Sequence, residues 1–219
     1  MGIKCKFCAG KCVKNGFQNN GCQRYKCSIC NKKQQIDYKY NACKQDINDD
    51  IILLTKEGLG IRSTARVLRI STTTLLKRIL LIAKSIPQPI ITKGKIYEVD
   101  EMCTCVGYKK NYIWLVYALE RITKKVVSFS VGRRTNKTLS KVLDILKLSE
   151  AKKIVTDKLK NYRYLIDQQL HSVKRFGTNH IERQNLTLRT HLKRLNRRTI
   201  CFSKSIIVLV AILKIYFWK

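Results

Sequence analysis

Two C-x-x-C pairs, Cys5-Lys-Phe-Cys8 and Cys27-Ser-Ile-Cys30, stand eighteen residues apart near the start of this chain. Each pair bends into a tight knuckle whose two thiolates face one point, and two knuckles complete a tetrahedral Cys₄ site for Zn²⁺. The spacing predicts a zinc ribbon over residues 1–45. So short a segment cannot bury enough apolar surface to fold alone, so the zinc is expected to be structural. Seven of the ten cysteines fall within the first 43 residues, and Cys12 and Cys22 leave the choice of ligands open. Arg24, Tyr25 and Lys26, just ahead of the second knuckle, are as well placed to face solvent as to touch phosphate.

The next segment, residues 46–86, carries helical spacing broken at two points. Asp46 is a candidate cap for a first helix bearing Ile47, Ile51 and Leu54, and Gly58 and Gly60 end it. Ser63 is expected to cap a short second helix with Ala65, Val67 and Leu68. Arg69-Ile70-Ser71 then makes a turn, and a third helix starts near Thr72 with Leu75, Leu76 and Ile79 inward. This is a helix-turn-helix pattern, in which the early residues of the last helix enter the major groove of DNA. Thr72, Thr73, Thr74, Lys77 and Arg78 are the candidates, against the blander reading of a three-helix bundle with a basic face. Pro87 and Pro89, the chain's only prolines, mark a linker to a third unit over residues 91–219.

Charge narrows the partner. Lysine and arginine number 45 against 14 acidic residues, a formal net charge of +31 spread along the whole length. Such a body repels itself and attracts polyanions through counterion release, on several surfaces rather than one tail. With 45% hydrophobic residues there is still enough to fill a core. Met-Gly-Ile-Lys-Cys runs straight into the cysteine pattern, and Ile206–Leu213 is shorter than the ~20 apolar residues a membrane span requires. A soluble, cytoplasmic protein without a membrane partner is expected, and its cysteines are then metal ligands or packing residues rather than disulfides.

Residues 91–219 read as three strands, a helix, a strand and two helices, an α/β layout with a mixed sheet. Lys95–Asp100 and Ile154–Asp157 are strands that end in carboxylates. If they pair, Asp100 and Asp157 emerge at one edge. Glu182 opens a helix with an apolar stripe of Ile181, Leu188, Leu192 and Leu195, beside a polar one of Glu182, Asn185, Arg189 and Lys193. Three hard oxygen ligands suit Mg²⁺ (or Mn²⁺), which keeps other positions for water and phosphate. Glu101 is an alternative to Asp100 as a ligand. Asp157 as a helix cap and Glu182 as a first-turn carboxylate are the structural alternatives.

At these residues the chain resembles a known family. Val99-Asp100-Glu101-Met102, Thr156-Asp157 with Tyr162, His180-Ile-Glu182-Arg-Gln-Asn185-Leu-Thr-Leu-Arg189-Thr, Leu192-Lys-Arg194-Leu and Arg198-Thr-Ile-Cys-Phe-Ser203 are similar to transposases of the insertion-sequence-one family. The ribbon, including Gln23-Arg-Tyr-Lys-Cys27, and the helix-turn-helix are similar to that family's accessory region. The resemblance implies a ribonuclease-H-like catalytic fold and a triad of Asp100, Asp157 and Glu182 that holds the catalytic metal. It also places His171 near the site. Two-metal phosphoryl transfer is implied, in which a strand is cut at the element's end and the freed 3′-hydroxyl attacks target DNA. Arg189, Lys193 and Arg194 would hold the backbone of double-stranded DNA, and the helix-turn-helix would read the terminal inverted repeats. A homodimer or higher oligomer follows from the need to hold two ends. Lys158-Leu159 replaces the family's Gly-Trp pair, and Cys103 stands where an aromatic is usual. The competing expectation is a non-catalytic DNA-binding regulator or a decayed copy of the element, which has no use for three converging acids.

Overall fold

The computed structural model describes residues 2–196 and 198–219. The chain is α/β and contains two sheets. The first is small and antiparallel, β1 (Cys12–Phe17), β2 (Gln23–Cys27) and β3 (Lys33–Gln34), and it carries the cysteine knuckles on its flanking turns. Three helices follow, α1 (Ile47–Lys56), α2 (Ile61–Leu68) and α3 (Thr72–Ser85). Arg69 closes α2 in the left-handed region at φ 53°, and Ser71 caps α3 by accepting the N–H of Thr74. Gly60 rather than Ser63 stands at the start of α2. Ser63 falls inside the helix because the chain turns one residue after the second glycine.

The second sheet has the order β6-β5-β4-β7-β8. Its long strands are β4 (Ile96–Cys105), β5 (Tyr112–Glu120) and β6 (Val126–Gly132), all antiparallel to their neighbours among the three. Short β7 (Lys153–Val155) and β8 (His171–Ser172) continue it in parallel, so the sheet is mixed. The interspersed helices are α4 (Asn136–Leu148), α5 (Lys160–Leu165), α6 (Asn179–His191) and α7 (Ile206–Trp218). Because side chains alternate along a strand, the two faces of the sheet carry different cores. Tyr97, Val99, Val116 and Ala118 meet α4 and Tyr162 of α5 on one face. Met102, Leu115, Tyr117 and Leu119 meet Ile181 and Leu188 of α6 and Leu209 and Leu213 of α7 on the other.

Two expectations about element ends are corrected. Strand β4 does not stop at Asp100 but runs five residues further, because Glu101 to Cys105 pair with Val116 to Tyr112. Asp100 is therefore a mid-strand residue. Helix α6 ends at His191, so Lys193 and Arg194 sit on a separate 3₁₀ turn drawn to β4 by Thr104 Oγ1, which donates to the Arg194 carbonyl at 3.1 Å.

Helix α7 is apolar on nearly every face, Lys214 excepted, and beyond the exposed Ile206 and Ile207 it is buried between two cores. Leu209 and Leu213 fill the sheet face, while Ala211, Ile212 and Ile215 join Ile47, Ile51, Leu75 and Ile79 in the core of α1 and α3. A second contact joins the same parts: Gly58, at φ 76°, leaves so little room that a Cβ there would lie 2.0 Å from the His191 carbonyl oxygen. No helix among the described residues is long and apolar enough to cross a membrane. Leu213→Ala, at a fully buried position, is expected to cost ~2–5 kcal/mol. Urea unfolding checks this, with the exposed Ile207→Ala as a nearly silent control.

Candidate functional site

Cys5, Cys8, Cys27 and Cys30 bring their sulfurs within 4.8 Å of one another. The pairs Cys5–Cys30 and Cys8–Cys27 are 3.6 and 3.5 Å apart. A tetrahedral zinc with ~2.3 Å bonds requires sulfurs about 3.8 Å apart, so the set fits the ion. The knuckle backbone supports thiolates as well: the N–H groups of Phe7, Ile29 and Cys30 point at Cys5 or Cys27 at 3.4–3.5 Å. The Cys30 N–H, helped by that of Ile29, holds the Cys27 thiol down at about 6 against the opposing effect of burial. Cys12 is buried against Cys5 and Cys27 but stands outside the group, and Cys22 is not part of it. Cys12 is a packing residue.

The second centre lies where β4 and β7 run side by side. Glu98 pairs with Val155 in parallel register, which brings Asp157, two residues beyond β7, level with Asp100. Asp100, Glu101 and Asp157 offer oxygens within 4.8 Å of one another. Glu182 is not in that group. Its Oε1 accepts from the hydroxyl of Thr178 at 2.7 Å, although its charge is felt at Asp100. Burial pushes the Asp100 carboxyl up, and the like charges of Asp157 and Glu182 push the same way. The Glu101 N–H and the Asn185 amide, which donates to Oδ2 at 2.7 Å, pull it down. Glu101 is raised to about 7, first by burial and then by Asp157 and Asp100, against the charge of Arg134. Arg134 lies 3.6 Å from its Oε2 and stacks on Trp114, while Oε1 is buried without a hydrogen-bond partner. Tyr162 is fully buried beside these carboxylates, and they and burial raise its phenol. Crowded, buried acids with raised protonation are the environment a divalent cation relieves.

The other nominated residues divide by what they touch. Thr72, Thr73 and Lys77 are exposed on α3, free to meet a partner. Arg78 instead donates to the Ala42 carbonyl at 2.7 Å and to Asn48 Oδ1 at 3.4 Å, tying α3 to the first turn of α1 and to the segment before it. Asn185 is taken up by Asp100 and by Tyr117, whose hydroxyl donates to its Oδ1 at 2.8 Å. Arg189 holds a buried Nε with no hydrogen-bond partner. Lys193 is exposed. Arg194 is half-buried and reaches Ser203 Oγ at 3.3 Å. His171, on the edge strand beside β7, sits 2.7 Å from Thr156 Oγ1, next to Asp157. Glu98 was not among the nominated residues. It is fully buried two residues before Asp100, and a second acid at that spacing on one strand face was the available signal.

Residues 95–218, more than half of the chain and all of the second sheet with its helices, match the family model described as IS1 transposase. The chain belongs to the IS1 transposase family. Among curated relatives, it is 40% identical over 109 residues to the insertion element IS1 protein InsB of Shigella flexneri, covering 50% of this chain and 83% of that one. It is 38% identical over 111 residues to the iso-IS1n protein InsB of Shigella dysenteriae, covering 51% and 85%. Against the IS1 2 protein InsB of Escherichia coli (strain K12) the figures are 38% over 109 residues, 50% and 65%. Of the solved structures, the HTLV-2 integrase catalytic core domain in complex with magnesium aligns with a TM-score of 0.37 at 19% identity over 58% of this chain and 86% of that one. That likeness is too distant to argue from. The IS1 match spans Asp100, Asp157 and Glu182 and leaves the cysteine ribbon and α1–α3 outside it.

Two outcomes are expected. The protein binds one Zn²⁺ per chain, and Cys27→Ser lowers that content and opens residues 2–36 to protease, as measured by elemental analysis and limited proteolysis. For Glu101, a carboxyl raised above the ordinary 4.5 favours the fold below pH 4.5, and that contribution is lost as pH climbs through about 7. In buffer free of divalent metal, Glu101→Gln should therefore exceed the parent by ~1–2 kcal/mol at pH 8.5 and converge with it toward pH 5. Urea midpoints across that range check both the sign and the window.

Proposed function

We propose that this chain is a DNA transposase that binds the ends of an insertion sequence and catalyses metal-dependent strand cleavage and strand transfer. The observation that carries the proposal is the convergence of Asp100 and Asp157 from neighbouring parallel strands, with Glu182 on α6 near enough for its charge to raise the Asp100 carboxyl. A sheet with three antiparallel strands continued by parallel ones, with helices on both faces, supports a ribonuclease-H-like catalytic unit over 91–219. Asp100, Asp157 and Glu182 are the proposed catalytic ligands of Mg²⁺ or Mn²⁺, which would supply Lewis-acid stabilisation to in-line phosphoryl transfer.

The chain's own residues do the rest. Asn185 and the Glu101 N–H orient the Asp100 carboxylate toward Asp157. The Thr178 hydroxyl donates to Glu182 Oε1 and so engages the third proposed ligand within its own helix turn. Arg189, Lys193 and Arg194 are the proposed contacts to the phosphate backbone, and Arg189 Nε has no hydrogen-bond partner within the protein. Residues 1–45 are proposed as a zinc ribbon with Cys5, Cys8, Cys27 and Cys30 as ligands, and residues 46–86 as a helix-turn-helix. In the latter, Thr72, Thr73 and Lys77 read the terminal inverted repeats, and Arg78 acts by fixing the recognition helix. The partners are element-end and target double-stranded DNA, held by a dimer or larger assembly in the bacterial cytoplasm.

The test is cleavage and joining of labelled duplexes bearing the element's own ends, with Mg²⁺ or Mn²⁺. The parent should nick at the end, and Glu182→Gln and Asp157→Asn should lower kcat by about 10²–10³-fold with end binding kept. End binding without metal-dependent nicking in the parent would mean a regulator or a decayed copy.

A further inference from the structure

Glu98, the third residue of β4, has no exposed surface, and both of its oxygens are used. Oε2 accepts the backbone N–H of Ile181 at 3.0 Å, while Oε1 lies 2.7 Å from His180 Nδ1 and 3.5 Å from Arg121 Nε. Ile181 belongs to the first turn of α6, whose leading N–H groups have no partner inside the helix. The residue before the helix, Thr178, does not cap it with its side chain. It spends its hydroxyl on Glu182 instead. The cap comes from the sheet, and it carries the negative charge that suits a helix N-terminus.

A second fastening lies one helical turn on. Asn185 donates to Asp100 Oδ2 at 2.7 Å, and Tyr117, directly across the ladder from Asp100, donates to Asn185 Oδ1 and to the Ile181 carbonyl. Four helical residues rise about 6 Å, and two strand residues rise about 6.6 Å. The Glu98–Asp100 spacing on β4 therefore matches the Ile181–Asn185 spacing on α6. Glu182 lies between the two fastenings. Its backbone is carried on the turn held by Glu98 at Ile181 and by Asp100 at Asn185. A buried carboxylate is costly unless fully paired, and the neighbouring core positions of β4 are filled by Tyr97 and Val99. Packing alone gives no reason for an acid at position 98.

We infer that Glu98 is a positioning residue: it pins the start of α6 to β4 so that Glu182 is carried at a set distance from Asp100 and Asp157. The inference rests on the proposed nuclease role of those acids, and its test keeps the two apart. Full-length, zinc-loaded parent, Glu98→Gln and Glu98→Ala are compared in two measurements. In metal-dependent nicking of element ends, both variants should keep KM for the duplex within about twofold and lose kcat by roughly tenfold to a hundredfold, the cost of about an ångström of misplacement. In hydrogen exchange without DNA, the Ile181 amide should exchange at least about tenfold faster in both variants, while amides of α4 stay unchanged.

Unaltered kcat, a loss confined to KM, or unaltered exchange at Ile181 overturns the assignment. So does failure of both variants to fold at 25 °C, which would make Glu98 a core residue only. If the parent itself does not nick, the transposase proposal falls. The exchange result then still decides whether Glu98 anchors the helix.

Discussion

Strand β4 is hydrogen-bonded on both edges and covered on both faces, and the placement of every acid in the centre follows from that burial. Its alternation sends Glu98, Asp100 and Met102 toward α6 and Val99 and Glu101 toward α4 and α5. A carboxylate on such a strand has no access to bulk water except where the sheet opens. The opening exists because β7 is only three residues long. Just past its end, Asp157 enters the gap from the neighbouring strand, and Asp100 and Glu101 reach it from the two sides of β4. Charge is thereby concentrated in a buried part of the sheet, which is why burial leads the causes that raise Asp100 and Glu101.

The acids are coupled to the rest of the chain through its most hydrophobic helix. Helix α7 is the shared wall of two cores. One of them seats α1 and α3, the other closes the sheet under α6. With +31 formal charges to keep apart, a polar interface between such units would be weak against their mutual repulsion. An apolar helix buried from both sides, with Gly58 tucked beneath the His191 carbonyl, does not depend on ionic strength in that way.

What was legible in the sequence is what depends on spacing along the chain. The four cysteines, the Arg69–Ser71 turn and the start of α3 are local patterns, and the structure has them where the spacing put them, while the apolar stripe that begins at Ile181 stays buried but runs past the end of α6 onto the 3₁₀ turn. What was not legible depends on partners far away in sequence. Arg78 has the composition of a groove-reading residue, yet its guanidinium bonds a carbonyl thirty-six residues earlier. Asp100 read as a strand end because two acids in succession look like a loop, whereas β5 supplies partners as far as Cys105. Glu98 was hidden for a related reason: one acid inside a strand is ordinarily a solvent-facing position, and only α6, more than eighty residues on, makes it an anchor. The apolarity of α7 announced burial but could not name two hosts.

The shared helix has a geometric corollary. With α3 seated on one side of α7 and the acidic cleft on the other, the span between them is set by side-chain packing rather than by a tether. On the proposed reading, the phosphodiester that is cut lies at a fixed number of base pairs from the sequence that is recognised. On that reading the protein would work as a caliper whose jaws are α3 and the Asp100–Asp157 pair. Its gauge would be altered by repacking Ile212 or Leu213, far from either jaw, and left alone by changes in the loops.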